Sequence, residues 1–343
     1  MRFFSDNTAT ACPEILAAIS EVNHGRAKAY GDDDWTRDID GALSTYFGTE
    51  VRAFVVVSGT AANALSLATL IPPYGVVFAH EGAHIRNDEC GATEFYSGGG
   101  RIVGVPGANG KLTVETLGGV LDELHVSVHS MQPAALSLTQ ATEVGTSYRP
   151  DEIAALTALA RRHKLHVHMD GARFSNSVEF LGCTPADVSW RAGVDVLSFG
   201  ATKNGALAAE AVVFFNHALV RDFELRRKRA GHLMSKSRFV SAQLLAYVSH
   251  DVWRRNAARA NGLARQIGAA AGSALLYPVE ANEVFLKLGA ERKKQLREAG
   301  FEFHPWGSEA SGNTRYVVSW DQPESDVVAL CKTLRFHSQP PGD

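Results

Sequence analysis

The sequence predicts an α/β protein, with a mostly parallel sheet in a large domain (residues 1–235) and a smaller α+β domain (residues 236–343). Short apolar runs typical of buried strands alternate with helical patterns through the middle of the chain. This order of strand, helix and strand favours parallel strands with helices on both faces. From about Ser235 onward the pattern changes, and a chain of 343 residues usually forms two domains.

The strand-like runs of the large domain end in polar turns. These runs cover residues 54–57, 134–139, 165–169, 194–199 and 211–215. Helical patterns cover residues 61–70, rich in Ala and Leu, and residues 150–163, where Pro150 and two acids suit the first turn of a helix. Ligands of parallel sheets bind beyond the carboxyl ends of the strands. We therefore expect Ser58, Asp170 and Lys203 at one site.

The predicted small domain begins with a long helical stretch over residues 240–271. Strand-like residues 283–287, a charged helix over 291–299 and strand-like residues 315–320 follow. This order is typical of an α+β domain.

Composition restricts the possible function. The formal net charge is -3, so nothing indicates binding to nucleic acid or to a membrane surface. The first residues lack the apolar region of a signal peptide, and no apolar run reaches the length of a membrane span. The four cysteines are scattered, without the spacing of a metal site or a disulfide framework. We expect a cytoplasmic protein without a metal site.

Lys203 and Asp170 carry the strongest chemical signal. Lys203 follows the apolar run 194–199 through a Gly-Ala-Thr turn, and Asp170 follows the run 165–169. A lysine and an acid on neighbouring strand ends are the two groups that pyridoxal phosphate requires. The lysine forms a Schiff base with the cofactor, and the acid keeps the pyridine nitrogen protonated. The pair predicts a pyridoxal-phosphate enzyme, although most lysines are solvated surface charges.

A turn between strand and helix, Ser58-Gly59-Thr60, is a candidate phosphate site. Backbone N–H groups at a helix start bind anions, and the hydroxyls add donors. The same residues would also suit an ordinary N-cap. Arg173 could contact the cofactor or a substrate carboxylate, or form a surface salt bridge.

His84 is a candidate for stacking on the cofactor ring and for proton transfer. Spacing does not separate it from the nearby His80. The chain has 13 histidines, and any one of them is more often structural.

The residues discussed above belong to a series of sequence stretches that resembles the L-threonine aldolase family. The series is most similar to the low-specificity L-threonine aldolases and phenylserine aldolases of that family. The resemblance runs in order along nearly the whole chain. The matching stretches cover residues 4–7, 29–33, 58–63, 88–92, 139–145, 168–176, 199–204, 278–282 and 315–320. It implies the aspartate-aminotransferase-like fold, fold type I of the pyridoxal-phosphate enzymes.

The resemblance also implies roles for individual residues. Lys203 would bind the cofactor covalently, Asp170 would pair with its ring nitrogen, Gly59 and Thr60 would hold its phosphate, and His84 would stack on its ring. Ser5, Arg173 and Arg315 would bind the substrate carboxylate. Tyr30 and a basic residue near Lys228 or Arg229 would reach the site from a neighbouring subunit of a homotetramer.

One departure concerns the loop after residue 139. Many relatives have a histidine there, where this chain has Thr142 and Glu143. The identity of the catalytic base and the discrimination at the β-carbon therefore stay open. The predicted reaction is retro-aldol cleavage of an L-β-hydroxy-α-amino acid (threonine, allo-threonine or phenylserine) to glycine and an aldehyde. The alternative is a β-eliminating lyase or aminotransferase of the same fold, because these enzymes share the lysine–aspartate pair.

Overall fold

Seven strands form one sheet in the larger part of the molecule. The computed structural model describes residues 1–249 and 251–335. The strands are β1 (Arg52–Val56), β2 (Gly75–His80), β3 (Arg101–Val105), β4 (Gln132–Thr139), β5 (His166–Gly171), β6 (Val196–Gly200) and β7 (Glu210–Phe214). Their order is β1-β7-β6-β5-β4-β2-β3. All neighbouring strands are parallel except β7, which is antiparallel to β1 and β6. The mostly parallel sheet is confirmed.

Helices cover both faces of this sheet. They are α1 (Pro13–Glu21), α2 (Asp34–Phe47), α3 (Gly59–Leu70), α4 (His84–Asn87), α5 (Ala92–Ser97), α6 (Val114–Asp122), α7 (Pro150–Arg162), α8 (Phe174–Leu181), α9 (Phe223–Arg229) and α10 (Arg238–Val248). Leu197 and Phe199 of β6 pack in the core on one face, and Val196 packs in the core on the other. This alternation is what a strand buried on both sides requires.

A second, smaller sheet has its own core. Its strands are β8 (Glu283–Lys287), β9 (His304–Pro305) and β10 (Asn313–Val317), in the order β8-β10-β9. Helices α11 (Val252–Ala271), α12 (Ala290–Glu298) and α13 (Glu324–Arg335) accompany it. Phe3, at the other end of the chain, is buried in this second core. Val240 and Leu244 of α10 instead pack in the first core. The domain boundary between residues 235 and 236 stays a prediction.

The predicted helix over residues 240–271 is two helices. Ser249, which ends α10, is extended, and Asp251, which precedes α11, has a φ of 56°. A left-handed residue cannot continue a right-handed helix. The expectation of one continuous helix was therefore wrong.

Two classes of feature are absent from residues 1–249 and 251–335, a membrane-spanning helix and a cluster of metal-binding side chains. No helix there is long and apolar enough to cross a membrane. In the same ranges, no group of three or more His, Cys, Asp or Glu side chains is placed to hold a metal ion.

Candidate active site

Lys203 and Asp170 lie at the carboxyl ends of two adjacent strands. Asp170 is opposite Ser198 in the parallel pair β5–β6, and Lys203 is in the short 3-10 turn Thr202–Asn204 after β6. The turn is held in place because Asn204 donates to the Tyr247 hydroxyl and the Trp253 carbonyl, both at 2.8 Å. The buried Asp170 carboxylate accepts from Asn63 Nδ2 at 2.8 Å and from the Ala172 N–H at 3.0 Å. The acid is thus fixed as an acceptor beside the lysine.

The turn Ser58-Gly59-Thr60 starts α3 at the same edge of the sheet. Val56 of β1 and Gly200 of β6 both pair with Glu210, so these two strand ends lie on either side of one β7 residue. Ser58 is the N-cap, and its Oγ accepts from Ala61 N. The N–H groups of Gly59 and Thr60 precede the first intrahelical bond and are available to an anion. A Cβ added at Gly59 would meet no atom within 4 Å. The N-cap interpretation is correct and leaves room for a phosphate.

His84 starts α4 and is held by two glutamates. Its Nδ1 lies 2.8 Å from Glu89 Oε1, and its backbone N–H donates to Glu143 Oε1 at 2.8 Å. The hydrogen bond to Glu89 raises the pKa of His84. His80 is different, because both of its ring nitrogens bind loop backbone at Gly82 and Gly107. The geometry separates the two histidines where spacing did not.

The two arginines predicted to bind a carboxylate differ in how far they are engaged. Arg173 is almost fully buried and makes two bonds to Asp6, from Nε at 2.7 Å and from Nη2 at 3.0 Å. Its Nη1 lies 3.2 Å from Glu283. Arg315, on β10, meets the same Glu283 through Nε at 3.3 Å. The terminal guanidinium nitrogens of Arg315 have no partner among the described residues, so this arginine is the one open to a ligand.

Ser5 precedes the turn that carries Asp6. Its Oγ accepts from Asn7 N at 3.1 Å, and this N-terminal turn packs against the 3-10 turn of Lys203. The charge of Lys203 acts on Asp6: burial alone would raise the pKa of Asp6, but the positive charges of Arg173 and Lys203 leave it below its usual value. The structure therefore brings Ser5, Asp6 and Lys203 to the same corner.

Tyr30 and Lys228 lie together but apart from this corner. The Lys228 Nζ is 4.5 Å from the centre of the Tyr30 ring, and Tyr30 is 52% exposed. Arg227 is buried instead, where it donates to the Val55 carbonyl. Within one chain, no described contact joins Tyr30 or Lys228 to Lys203 or Asp170.

Several polar residues of the site were not assigned a role from sequence. Asn63, Glu89 and Glu210 are buried, and Glu143 is half-buried. Burial raises the pKa of both Glu143 and Glu210 to about 7. Two of them could have been recognised from the sequence as polar residues in apolar runs, since Asn63 interrupts the apolar helix α3 and Glu210 begins the apolar strand β7. A polar residue in such a run is buried at a cost unless it has a partner.

These residues fit pyridoxal phosphate. Lys203 Nζ makes no hydrogen bond to the residues described, Asp170 is a buried acid, and α3 offers an open N-terminus. Arg315 adds an open guanidinium for a carboxylate. This donor set matches the cofactor's aldehyde, ring nitrogen and phosphate, and the acid group of an amino acid.

Comparisons with known proteins agree with this assignment. Residues 2–291 match the model of the beta-eliminating lyase family. The low-specificity L-threonine aldolase of Pseudomonas aeruginosa is 44% identical to this chain over 339 residues, which cover 98% of this chain and 97% of the relative. The low-specificity L-threonine aldolase of a Pseudomonas species is 43% identical over 338 residues, which cover 97% of each chain.

Solved structures show the same relationship. A threonine aldolase of Leishmania major has a TM-score of 0.91 and 25% identity, with 98% of both chains covered. An N-succinyldiaminopimelate aminotransferase of Thermus thermophilus, 17% identical with a TM-score of 0.73 over 98% of this chain and 94% of its own, shares the fold. The predicted aspartate-aminotransferase-like fold and the pyridoxal-phosphate dependence are confirmed. The chain belongs to the beta-eliminating lyase family, as one of its carbon–carbon lyases of the low-specificity L-threonine aldolase type.

Proposed function

We propose that the chain accepts L-threonine, L-allo-threonine and L-phenylserine, and releases glycine with acetaldehyde or benzaldehyde. The observation that carries this proposal is the placement of Lys203 and Asp170 at adjacent strand ends of the large sheet, with His84 tied to Asp170 through Asn63 and Glu89, and Arg315 tied to Arg173 through Glu283. Two sets of contacts support this placement. One runs from Asp170 through Asn63 and Glu89 to His84, and the other runs from Arg315 through Glu283 and Arg173 to Asp6. The charge of Lys203 acts on a member of each set, His84 and Asp6. A lysine, an acid, a proton carrier and a carboxylate receptor are what this cleavage needs.

The proposed roles follow from which atoms are free. Arg315, assisted by Ser5, binds the substrate carboxylate and so orients the Cα–Cβ bond. Arg173 acts mainly by holding Glu283 and Asp6 beside that receptor. The N–H groups of Gly59 and Thr60, with the Ser58 turn, bind the cofactor phosphate. Asp170 keeps a proton on the ring nitrogen. When bound, pyridoxal phosphate supplies the electron sink for the pair left on Cα.

His84 is proposed as the group that takes the β-hydroxyl proton. The Glu89 carboxylate can only accept a hydrogen bond from Nδ1 of His84. This assigns the proton of the neutral ring to Nδ1 and leaves Nε2 as the free acceptor. The hydrogen bond to Glu89 raises the pKa of His84, which makes Nε2 a better proton acceptor. General-base help of this kind contributes about 10²–10⁴-fold.

We further propose a cytoplasmic homotetramer with shared sites. Tyr30 and Lys228 form an exposed pair that makes no contact with Lys203 of its own chain. Their role would be to reach the site of a neighbouring copy. Light scattering measures the number of subunits. Activity recovered on mixing inactive Lys203→Ala and Tyr30→Ala proteins would support sharing.

Product analysis tests the reaction and its substrates. Aldehyde and glycine are measured for the three L-substrates and their D-enantiomers, with ammonia and keto acid measured in parallel. Equimolar glycine and aldehyde from the L-forms support the proposal. Ammonia with a keto acid would instead indicate β-elimination or transamination.

A further inference from the structure

A chain of four polar side chains, of which all but His84 are buried, connects Asp170 with His84. Asn63 Nδ2 donates to Asp170 Oδ2 at 2.8 Å and to Glu89 Oε1 at 2.9 Å. The same Glu89 oxygen lies 2.8 Å from His84 Nδ1. Asn63, Glu89 and Asp170 are at most 4% exposed. In this setting each hydrogen bond is stronger than it would be in water, and each unmade bond is costly.

Asparagine is suited to the middle position. Its amide nitrogen has two hydrogens, and both are used to bridge two carboxylates that would otherwise repel each other. Asn63 Oδ1 has no hydrogen-bond partner among the described residues. Asn63 thus uses both amide hydrogens but leaves its carbonyl oxygen without a partner in the described ranges. Its orientation is therefore set by its hydrogen bonds to Glu89 and Asp170.

Charges around the chain act on both of its ends. The negative charge of Asp170 favours protonation of His84 and of Glu89, whereas Lys203 opposes protonation of His84. Glu143 holds the His84 backbone, and Asp170 also acts on Glu143, Glu210, His168 and Arg173. The proton on His84 and the charge on Asp170 are therefore linked by position as well as by hydrogen bonds.

We propose that Asn63 and Glu89 are positioning residues that present Nε2 of His84 to the substrate and couple the proton state of His84 to the charge of Asp170. This rests on the proposed function of His84. In that arrangement Glu89 sets the tautomer. Asn63 limits the negative charge that the shared Glu89 oxygen presents to the imidazole.

Two substitutions should move the pH behaviour of the holoenzyme in opposite directions. Glu89→Gln keeps an acceptor for Nδ1–H but removes the charge, so the acid limb of kcat/KM for L-threonine should move down by about one pH unit. Asn63→Leu removes a donor from Glu89, so the limb should move up by about half a unit. Asn63→Leu also removes a hydrogen bond from Asp170, so the pH midpoint of the bound cofactor's visible absorption should shift.

Asn261→Leu is the matched control. Asn261 is buried and also donates from one amide nitrogen to two acceptors, the Asn176 carbonyl and Glu179, and it has no described hydrogen bond to Lys203, His84 or Asp170. It should lower the melting temperature without moving either pH readout. The proposal would be overturned if, in both Glu89→Gln and Asn63→Leu, the acid limb of kcat/KM and the pH midpoint of the visible absorption stayed within about 0.2 pH unit of the parent.

The spectral titration needs no turnover, so it separates this proposal from the proposed function. If His84→Gln keeps full aldolase activity, the role of His84 as base fails. A midpoint shift in Asn63→Leu would still support the link to Asp170. An unmoved midpoint would refute that link whatever the activity.

Discussion

Asp6→Asn is a direct test of the corner that joins the N-terminus to the small sheet. The Asp6 carboxylate is 1% exposed and accepts three hydrogen bonds. Oδ2 accepts from Arg173 Nε at 2.7 Å and from Asn282 Nδ2 at 2.9 Å, and Oδ1 accepts from Arg173 Nη2 at 3.0 Å. An asparagine can keep at most the two bonds made at one oxygen. Its NH2 group would then face an Arg173 N–H.

The expected cost follows from these contacts. One charge-assisted hydrogen bond is worth about 1.5–3 kcal/mol, and removing one partner of a buried ion pair costs about 3–5 kcal/mol. Glu283 still compensates Arg173 in part, so we expect a loss of about 2–4 kcal/mol in the free energy of unfolding. Domains have only about 5–15 kcal/mol in total. The loss should be large in relative terms.

Urea unfolding of the holoenzyme, followed by tryptophan fluorescence, measures this loss. Glu298→Gln is the control, since its ion pair with Lys294 is exposed and spans 3.8 Å. Such a pair contributes at most about 0.5 kcal/mol. A loss below about 1 kcal/mol in Asp6→Asn, or an equal loss in both variants, would refute the reasoning.

Three further predictions concern single residues. Lys203→Ala should lose the visible absorption of the lysine-bound cofactor, and an unchanged band would contradict its role. Arg315→Met should raise KM for L-threonine roughly 10- to 100-fold, because the variant loses the charge-assisted hydrogen bonds that the Arg315 guanidinium makes to the substrate carboxylate. A KM within twofold of the parent would contradict this. Buried between Ser137 and Ser198, His168 has its pKa lowered by burial from 6.5 to about 4. The pKa of His168 is lower in the folded protein than in the unfolded protein. The stability gained from the neutral buried imidazole is therefore fully present above about pH 6.5 and is lost as the pH falls towards 4. The 2.5-unit difference corresponds to about 3 kcal/mol. Melting temperatures from pH 7 to 5 should therefore fall less in His168→Asn than in the parent, and equal slopes would count against it.

The sequence predicted the positions of Lys203 and Asp170 better than it predicted the residues that hold the rest of the site in place. Lys203 and Asp170 follow apolar runs, and parallel strands end at one edge, so local pattern was enough to place them together. Asp6 and Glu283 could not be placed beside Arg173 in this way, because all three are far apart along the chain and only tertiary packing brings both acids to the arginine. The engagement of Arg173 was hidden for the same reason.

Local backbone geometry set another limit. The helical pattern runs across residues 240–271, but Asp251 adopts a left-handed conformation that composition does not reveal. Similarly, His80 and His84 have equal chemistry in the sequence. The folded contacts distinguish them: Glu89 lies beside the His84 ring, whereas both His80 ring nitrogens bind loop backbone.

The corner formed by Asp6, Arg173, Glu283 and Arg315 has a consequence for synthesis. Its members come from the beginning, the middle and the last part of the chain. Asp170 in β5 and Lys203 in the turn after β6 both precede β8 and β10 along the chain. Chains fold from the N-terminus as they are synthesised, and contacts between distant residues form late. A growing chain therefore contains Lys203 and Asp170 before it contains Glu283 and Arg315. The corner itself can form only after β8 and β10 have been made.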